Sequence, residues 1–284
     1  MKTSMLFSMS VILFFLVTNS TFSQNEQLKD HILFYSSFDG RTTADVAVGD
    51  SLLYTAENYN ATDKAQAGIH NPDVVLAKDV GLSGDALHFK KQNTTAIYYN
   101  GSKNLGYSSK SWSGTVSFWL QVDPEKDLAP GYCDPINITD HKYNDAALWV
   151  DFTKDSPREF RLGVMGDLAV WNPENENNDA EVEKRTVDVQ EPPFKSGKWT
   201  HIVITYSGIN TNESICKLYL DGEFKGVVKD VNDPFTWEEE NAKIMLGLGY
   251  VGLMDDLSVF DKTLDVSEVK YVYELKNGVK VLFE

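Results

Sequence analysis

Apolar and polar residues alternate most cleanly over residues 197–276, which read GKWTHIVITY, then KLYLDGEFKG, then IMLGLGYVGLMDDLSVFDKTLDVSEVKYVYELK. An alternation of period two is what a half-buried antiparallel strand requires, because successive side chains point to opposite faces. Asp221-Gly222 separates two such runs. Both central positions of a type I′ turn need positive φ, so a β-hairpin is predicted there. After Leu264 the period lengthens to about 3.6, with Val266, Val269, Val272 and Tyr273 on one stripe. Asp265 followed three residues later by Glu268 has the form of a capping box, and a short helix is predicted over 265–276.

The same alternation recurs upstream. Residues 31–38 read as a strand that turns at Asp39-Gly40, and 41–83 as long loops with short strands such as 51–56. Further strands are predicted at 86–89, 95–99 and 115–122; in the last, Val116, Phe118 and Leu120 alternate with Ser117 and Trp119. Residues 148–152 and 160–164 should pair across a charged turn, and 168–171 should continue the sheet. The almost wholly polar stretch NPENENNDAEVEKR at 172–185 cannot be a core strand and is predicted to be a surface loop. No internal repeat of 20 to 50 residues is present, which disfavours solenoids and propellers. Many short strands and one late helix predict an all-β jelly-roll sandwich of two antiparallel sheets.

Several of these segments carry a family resemblance. The runs WTHIVITY, LYLDG and LGLGYVGLMDDLSVF with its following LDVSEV helix, preceded in order by FYSSFDG at 34–40, GDALHF at 84–89 and WSGTVSFWLQV at 112–122, resemble the laminin-G-like members of the concanavalin A-like lectin/glucanase superfamily. The resemblance implies a concanavalin A-like jelly roll over essentially the whole mature chain. It says little about activity, because that superfamily includes lectins, carbohydrate-binding modules, glycosidases, lyases and protein-binding modules. Function has to be argued from the site.

Composition narrows the picture. With 284 residues, 42% of them hydrophobic, and no composition break, one large domain is the simplest organisation. Lys2, an apolar run of about 13 residues from Met5 to Val17 and the small residues before Gln24 predict a signal peptide over 1–23, with a single domain at 24–284. The apolar run is short for a membrane span, which wants about 20 residues, so no membrane span is expected. Secretion, or a periplasmic or cell-surface location in a bacterium, follows. The formal charge is −16, and removal of Lys2 with the leader makes it −17. Such an acidic body disfavours nucleic acid and anionic lipid as partners. Of the two cysteines, Cys133 falls in a Pro/Gly-rich stretch and Cys216 shares strand parity with Leu218 and Leu220. Cys216 therefore reads as a small buried residue, and a bridge between the two stays open.

Three chemistries bear on these residues. Retaining glycosidases of the superfamily carry an E-x-D-x-E run that places two carboxylates about 5 Å apart. The chain has no such run; VDVQE at 187–191 lacks the first Glu, the lyase signatures are also missing, and the five His are dispersed. The resemblance further implies a structural Ca2+ joining the first strand to the last, with Asp39 and Asp255 at the matching positions and Asp85 nearby. By parity with Leu257 and Val259, Asp255 should face the interior, where an unpaired carboxylate is costly; a cation would neutralise it, or backbone amides would.

Sugar recognition needs flat aromatic faces beside hydrogen-bonding groups. If Leu148, Val150, Phe152, Phe160, Leu162, Val164, Leu168 and Val170 face the core, then Trp149, Asp151, Arg161 and Trp171 share the opposite face as an exposed platform, rimmed by Trp112 and Trp237 at loop ends. Trp119 and Trp199 are expected in the core. The leading expectation is a secreted, non-catalytic domain that binds carbohydrate. A divergent polysaccharide-degrading enzyme comes second, and a protein-binding adhesion module third.

Overall fold

A computed structural model describes residues 27–284, so the signal peptide expected over 1–23 lies outside the described residues. In chain order the strands are β1 (Ile32–Ser36), β2 (Val46–Ala47), β3 (Leu53–Ala56), β4 (Gln66–Ala67), β5 (Val74–Ala77), β6 (Ala86–Phe89), β7 (Ala96–Asn100), β8 (Trp112–Gln121), β9 (Cys133–Lys142), β10 (Asp145–Phe152), β11 (Phe160–Met165), β12 (Thr186–Val189), β13 (Trp199–Ile209), β14 (Ile215–Leu220), β15 (Glu223–Lys229), β16 (Lys243–Leu248) and β17 (Gly252–Phe260). They form two sheets. The first has the order β15-β14-β13-β8-β17-β1-β2, with β6 also pairing β17 and β5 pairing β6; the second has the order β12-β11-β10-β9-β16-β7-β3-β4.

The sheets face each other across one core. Val116, Phe118 and Leu120 of β8 and Ile202 and Ile204 of β13 meet Ile136, Ile138, Leu148, Val150, Phe160 and Leu162 from the second sheet, all fully or almost fully buried. The alternation marks Val116, Phe118, Leu120, Leu148, Val150, Phe160 and Leu162 as inward, whereas β9, with Ile136 and Ile138, lies in no predicted strand. Trp112 and Trp237 belong to this core and do not rim a groove: their rings lie 4.7 Å apart, and their indole N–H groups donate to Leu105 O and Ala146 O. Trp119 is buried as expected, whereas Trp199 is half-buried.

The predicted hairpin forms β14 and β15, with Asp221 at φ 53° and Gly222 at φ 76°. The helices that bear on the site and its scaffold are α1 (Pro124–Asp127), α2 (Leu168–Trp171), α3 (Asp179–Glu183) and α4 (Val266–Glu274). The capping box of α4 is present: Asp265 accepts from the Glu268 amide at 2.9 Å and Glu268 accepts from the Asp265 amide at 3.0 Å. Its Val269 and Val272 pack with Val203, Tyr219 and Phe260 on the outer face of the first sheet, forming a second, smaller core. Among the described residues no helix is long and apolar enough to cross a membrane.

Three local expectations change. Residues 168–171 form the helical turn α2 rather than a strand. The Val170 and Trp171 amides donate back to Asp167 O and the Leu168 amide donates to the Asp145 carboxylate, so no strand neighbour is needed. Cys133 opens β9 rather than lying in a loop, and Cys133 and Cys216 are both buried free thiols, each pushed up to about 12 chiefly by burial. Asp255 does not share a face with Leu257 and Val259. It lies opposite Trp119 on β8 while Ser258 lies opposite Ser117, so β17 carries one extra residue, a β-bulge that reverses side-chain parity. Asp256, at φ 54°, is part of this bulge, and β17 changes neighbour around it, from β6 at 252–254 to β1 at 257–260.

Candidate functional site

Residues directly opposite on neighbouring antiparallel strands share a face. On the outer face of the second sheet this rule yields one transverse row: Tyr54, Tyr98, Met245, Asn137, Trp149 and Gly163. Beside it, Asp151 opposes Arg161 and Arg161 opposes Asp188. The parity reading of Trp149, Asp151 and Arg161 therefore gave the face on which the structure places them. Trp171 reaches the same place from α2, and all four residues line one cleft of about 630 Å3.

The exposure differs from the expectation. Trp149 is 5% exposed and Trp171 8%, so both are buried parts of a small outer core with Ala147 and Met165 rather than open stacking surfaces. Trp149 lies against Gly163, where a Cβ would come within 2.2 Å of the indole. Both indole N–H groups are tied to the β9–β10 turn, Trp149 to Tyr143 O at 2.8 Å and Trp171 to Asn144 O at 3.0 Å. Arg161 covers the Trp149 ring at 5.5 Å and Arg185 the Trp171 ring at 5.1 Å. The Trp pair is a foundation on which the cleft is built.

The rings that open to solvent are two that periodicity could not mark. Tyr132, before β9, is 52% exposed and Tyr143, in the β9–β10 turn, 61% exposed. Asn144, Asn172 and the Asn-rich segment leading to α3 supply amides around them, where the polar stretch 172–185 forms one wall. Tyr132 also stacks under Arg161, at 5.1 Å.

Charge in the cleft is unevenly matched. Arg161 grips Asp151 with two hydrogen bonds, Nε to Oδ1 at 2.9 Å and Nη2 to Oδ2 at 2.6 Å. Burial works against the Arg161 charge, but the Asp151 carboxylate more than offsets it and raises its pKa. The Asp151 carboxyl is itself pushed up by burial, despite Arg161. Asp134 lies across the β9–β10 pairing from Asp151 and has part of its surface in the cleft; burial, then the Asp151 charge, push it up to about 7, although the Asn137 amide donates to it at 3.1 Å. Asn137 Oδ1 is buried without a partner. His201, buried at 2.8 Å from Ser117 Oγ, is lowered to about 3 by burial and stays neutral as a structural residue.

The carboxylates matched to calcium lie on the other sheet, around residues 79–85. Asp39 Oδ1 accepts from the Asp85 amide at 2.8 Å, Asp85 accepts from the Gly40 and Asp79 amides, and Asp255 Oδ2 accepts from the Leu82 amide at 2.6 Å. Asp39 Oδ2 faces Lys280 Nζ at 3.1 Å, and the same ammonium donates to Ser83 O. The three residues thus meet in one nest, but their oxygens close on amides and an ammonium. Among the described residues no three His, Cys, Asp or Glu side chains are grouped to hold a metal ion, and this arrangement does not fit a calcium cage. Burial and the neighbouring Asp256 push Asp255 up to about 8.

The class these features define is a two-sheet antiparallel sandwich with a cleft on the outer face of one sheet. A family model described as the concanavalin A-like lectin/glucanases superfamily matches residues 91–270, and the chain belongs to that superfamily. Similar solved structures include domain 4 of an extracellular arabinanase from Geobacillus stearothermophilus in complex with arabinotriose, at 18% identity and TM-score 0.53, covering 85% of this chain and 97% of that one. The botulinum neurotoxin serotype D binding domain is similar at 14% identity and TM-score 0.58, covering 88% of this chain and 52% of its own. The receptor binding domain of the mosaic serotype C/D neurotoxin is similar at 14% identity and TM-score 0.55, covering 87% and 51%. This chain spans about half of each neurotoxin domain, and the likeness to all three is one of fold. No curated protein matches the chain significantly.

Proposed function

We propose that this protein is an exported, non-catalytic domain that binds carbohydrate in the cleft above β9, β10 and β11. The observation that carries the reading is the combination of two open tyrosine rings, Tyr132 and Tyr143, with the amides of Asn144 and Asn172 and the Asp134 carboxyl, which has no cationic partner, in one cleft. Pyranose C–H faces stack on rings of this kind while hydroxyls take the amides and carboxylate. The superfamily supports the reading, as does the arabinotriose bound by the arabinanase domain of similar fold.

A hydrolytic reading has one point in its favour, the Asp134 carboxyl held near 7 beside a second carboxylate. Glycoside hydrolysis by the usual routes needs two available carboxyl groups, and Asp151 is committed to Arg161. A glycan array run beside a reducing-sugar release assay on the same polysaccharides tests both. Binding without release is the expected result. Release would overturn the non-catalytic reading, and silence in both assays would turn attention to a protein partner.

A further inference from the structure

The lining of the cleft contains four carboxylates, Asp134, Asp151, Glu176 and Asp179, and one basic side chain, Arg161. That guanidinium is spent on Asp151. Arg185, over the Trp171 ring, is held by Asp233 at 2.7 Å and Glu181 at 2.8 Å. No cation is left over for an anionic ligand.

At the floor the imbalance becomes specific. Among the described residues Asp134 forms no ion pair, and its carboxyl accepts one hydrogen bond, from Asn137 Nδ2. Asn137 is 1% exposed, and its Oδ1 has no donor at all. The Asp134 carboxyl in the cleft lining is therefore short of donors, and an ammonium group supplies three N–H donors together with the opposite charge. A hydroxyl supplies one donor and no charge. Tyr132 lines the same cleft as Asp134 and offers an open ring for a sugar that carries the ammonium.

We propose that the cleft is selective for saccharides bearing a free amino group, of the unacetylated hexosamine type, and rejects uronate and sulfated chains. This rests on the glycan-binding reading and deepens it. Asp134 takes the ammonium, the tyrosines take the ring faces, and the unneutralised carboxylates repel polyanions, as like charges facing each other at an interface do.

The test is titration calorimetry on the full chain with four probes: a glucosamine hexamer, its fully N-acetylated counterpart, a galacturonate hexamer and hexalysine. The glucosamine hexamer should bind about tenfold more tightly than the N-acetylated one, the increment of one charge-assisted hydrogen bond. That preference should shrink as salt is raised, and the galacturonate hexamer should not bind. In Asp134→Asn the preference for the glucosamine hexamer over the N-acetylated one should vanish. Galacturonate binding as tight as glucosamine binding, hexalysine equal to the glucosamine hexamer, or a preference untouched by both salt and Asp134→Asn would each overturn the proposal and leave glycan binding itself standing. If no saccharide binds, the glycan-binding reading falls and takes this proposal with it. The salt series on the parent protein decides the matter even if the variant does not fold.

Discussion

Each sheet buries carboxylates on its outer face, and the two assemblies are finished differently. On the first sheet, Asp39, Asp85 and Asp255 are capped by amides from residues 79–85 and by Lys280 from the C-terminal turn at 279–283, so nearly every oxygen has a partner. On the second sheet, Asp151 is satisfied by Arg161, but Asp134 keeps unused acceptor capacity in a cleft that also holds open aromatic rings. Both assemblies raise carboxyl pKa values by burial, Asp255 to about 8 and Asp134 to about 7. A raised pKa alone therefore does not distinguish a structural nest from a binding site. Unfilled hydrogen-bonding capacity facing a cleft does.

The comparison can be broken most forcefully at its foundation. Trp149→Ala should lower folding stability by about 3 to 5 kcal/mol, because it removes a buried indole and the hydrogen bond to Tyr143 O. Urea unfolding measures it; a loss below about 1 kcal/mol would mean that the ring is a surface group after all. Next come the open rings. Tyr132→Ala and Tyr143→Ala should each weaken glycan binding by about 1 to 3 kcal/mol while changing stability by no more than about 0.5 kcal/mol, read by calorimetry beside thermal melts.

Asp255→Asn sharpens the other half through its pH dependence. The folded protein holds a proton on Asp255 up to about 8, whereas the unfolded chain releases it near 3.8. The contribution of this group to stability therefore falls as pH rises through that window. Asn cannot titrate, so the variant should gain on the parent steadily from pH 4 to pH 8 and then keep a constant difference, with 3.8 and about 8 as the limits. Parallel unfolding curves across that range would show that Asp255 is ionised in the fold. The smallest effect expected is none: chelator or added calcium should leave the melting temperature where Lys280 already holds it. A rise of several degrees with calcium would restore the calcium reading of the nest.

Much of this architecture was legible in the chain, and the failures have identifiable causes. Trp149, Asp151 and Arg161 could be assigned to a face because β10 and β11 are long enough for period two to be unambiguous and their other face fills a true core. In Leu168–Trp171 four residues suit a strand and a helical turn equally; Leu168 and Trp171 share a helical face, which leaves Val170 55% exposed. Asp255 was misassigned because one extra residue inverts parity and nothing in the alternation announces it, beyond two adjacent acids in an otherwise apolar strand. Tyr132 and Tyr143 were missed because they sit outside or at the turn of their strands, where hydrophobic period carries no information. Asp134 was missed too, since its importance comes from what its neighbours fail to supply.

The register of β17 also bears on how the molecule is made. Its second half pairs with β1, Phe260 opposite Ile32, and its first half with β6, while its whole length borders β8. A sheet whose centre is the last strand to be synthesised cannot close while the chain is still emerging, because β1 and β8 have no neighbour to join them until residues 252–260 appear. Pairings of such long sequence separation also close slowly, since a large loop must be ordered before any contact compensates for it. Closure of the first sheet therefore awaits residues 252–260, although β8, β13, β14 and β15 can pair before them.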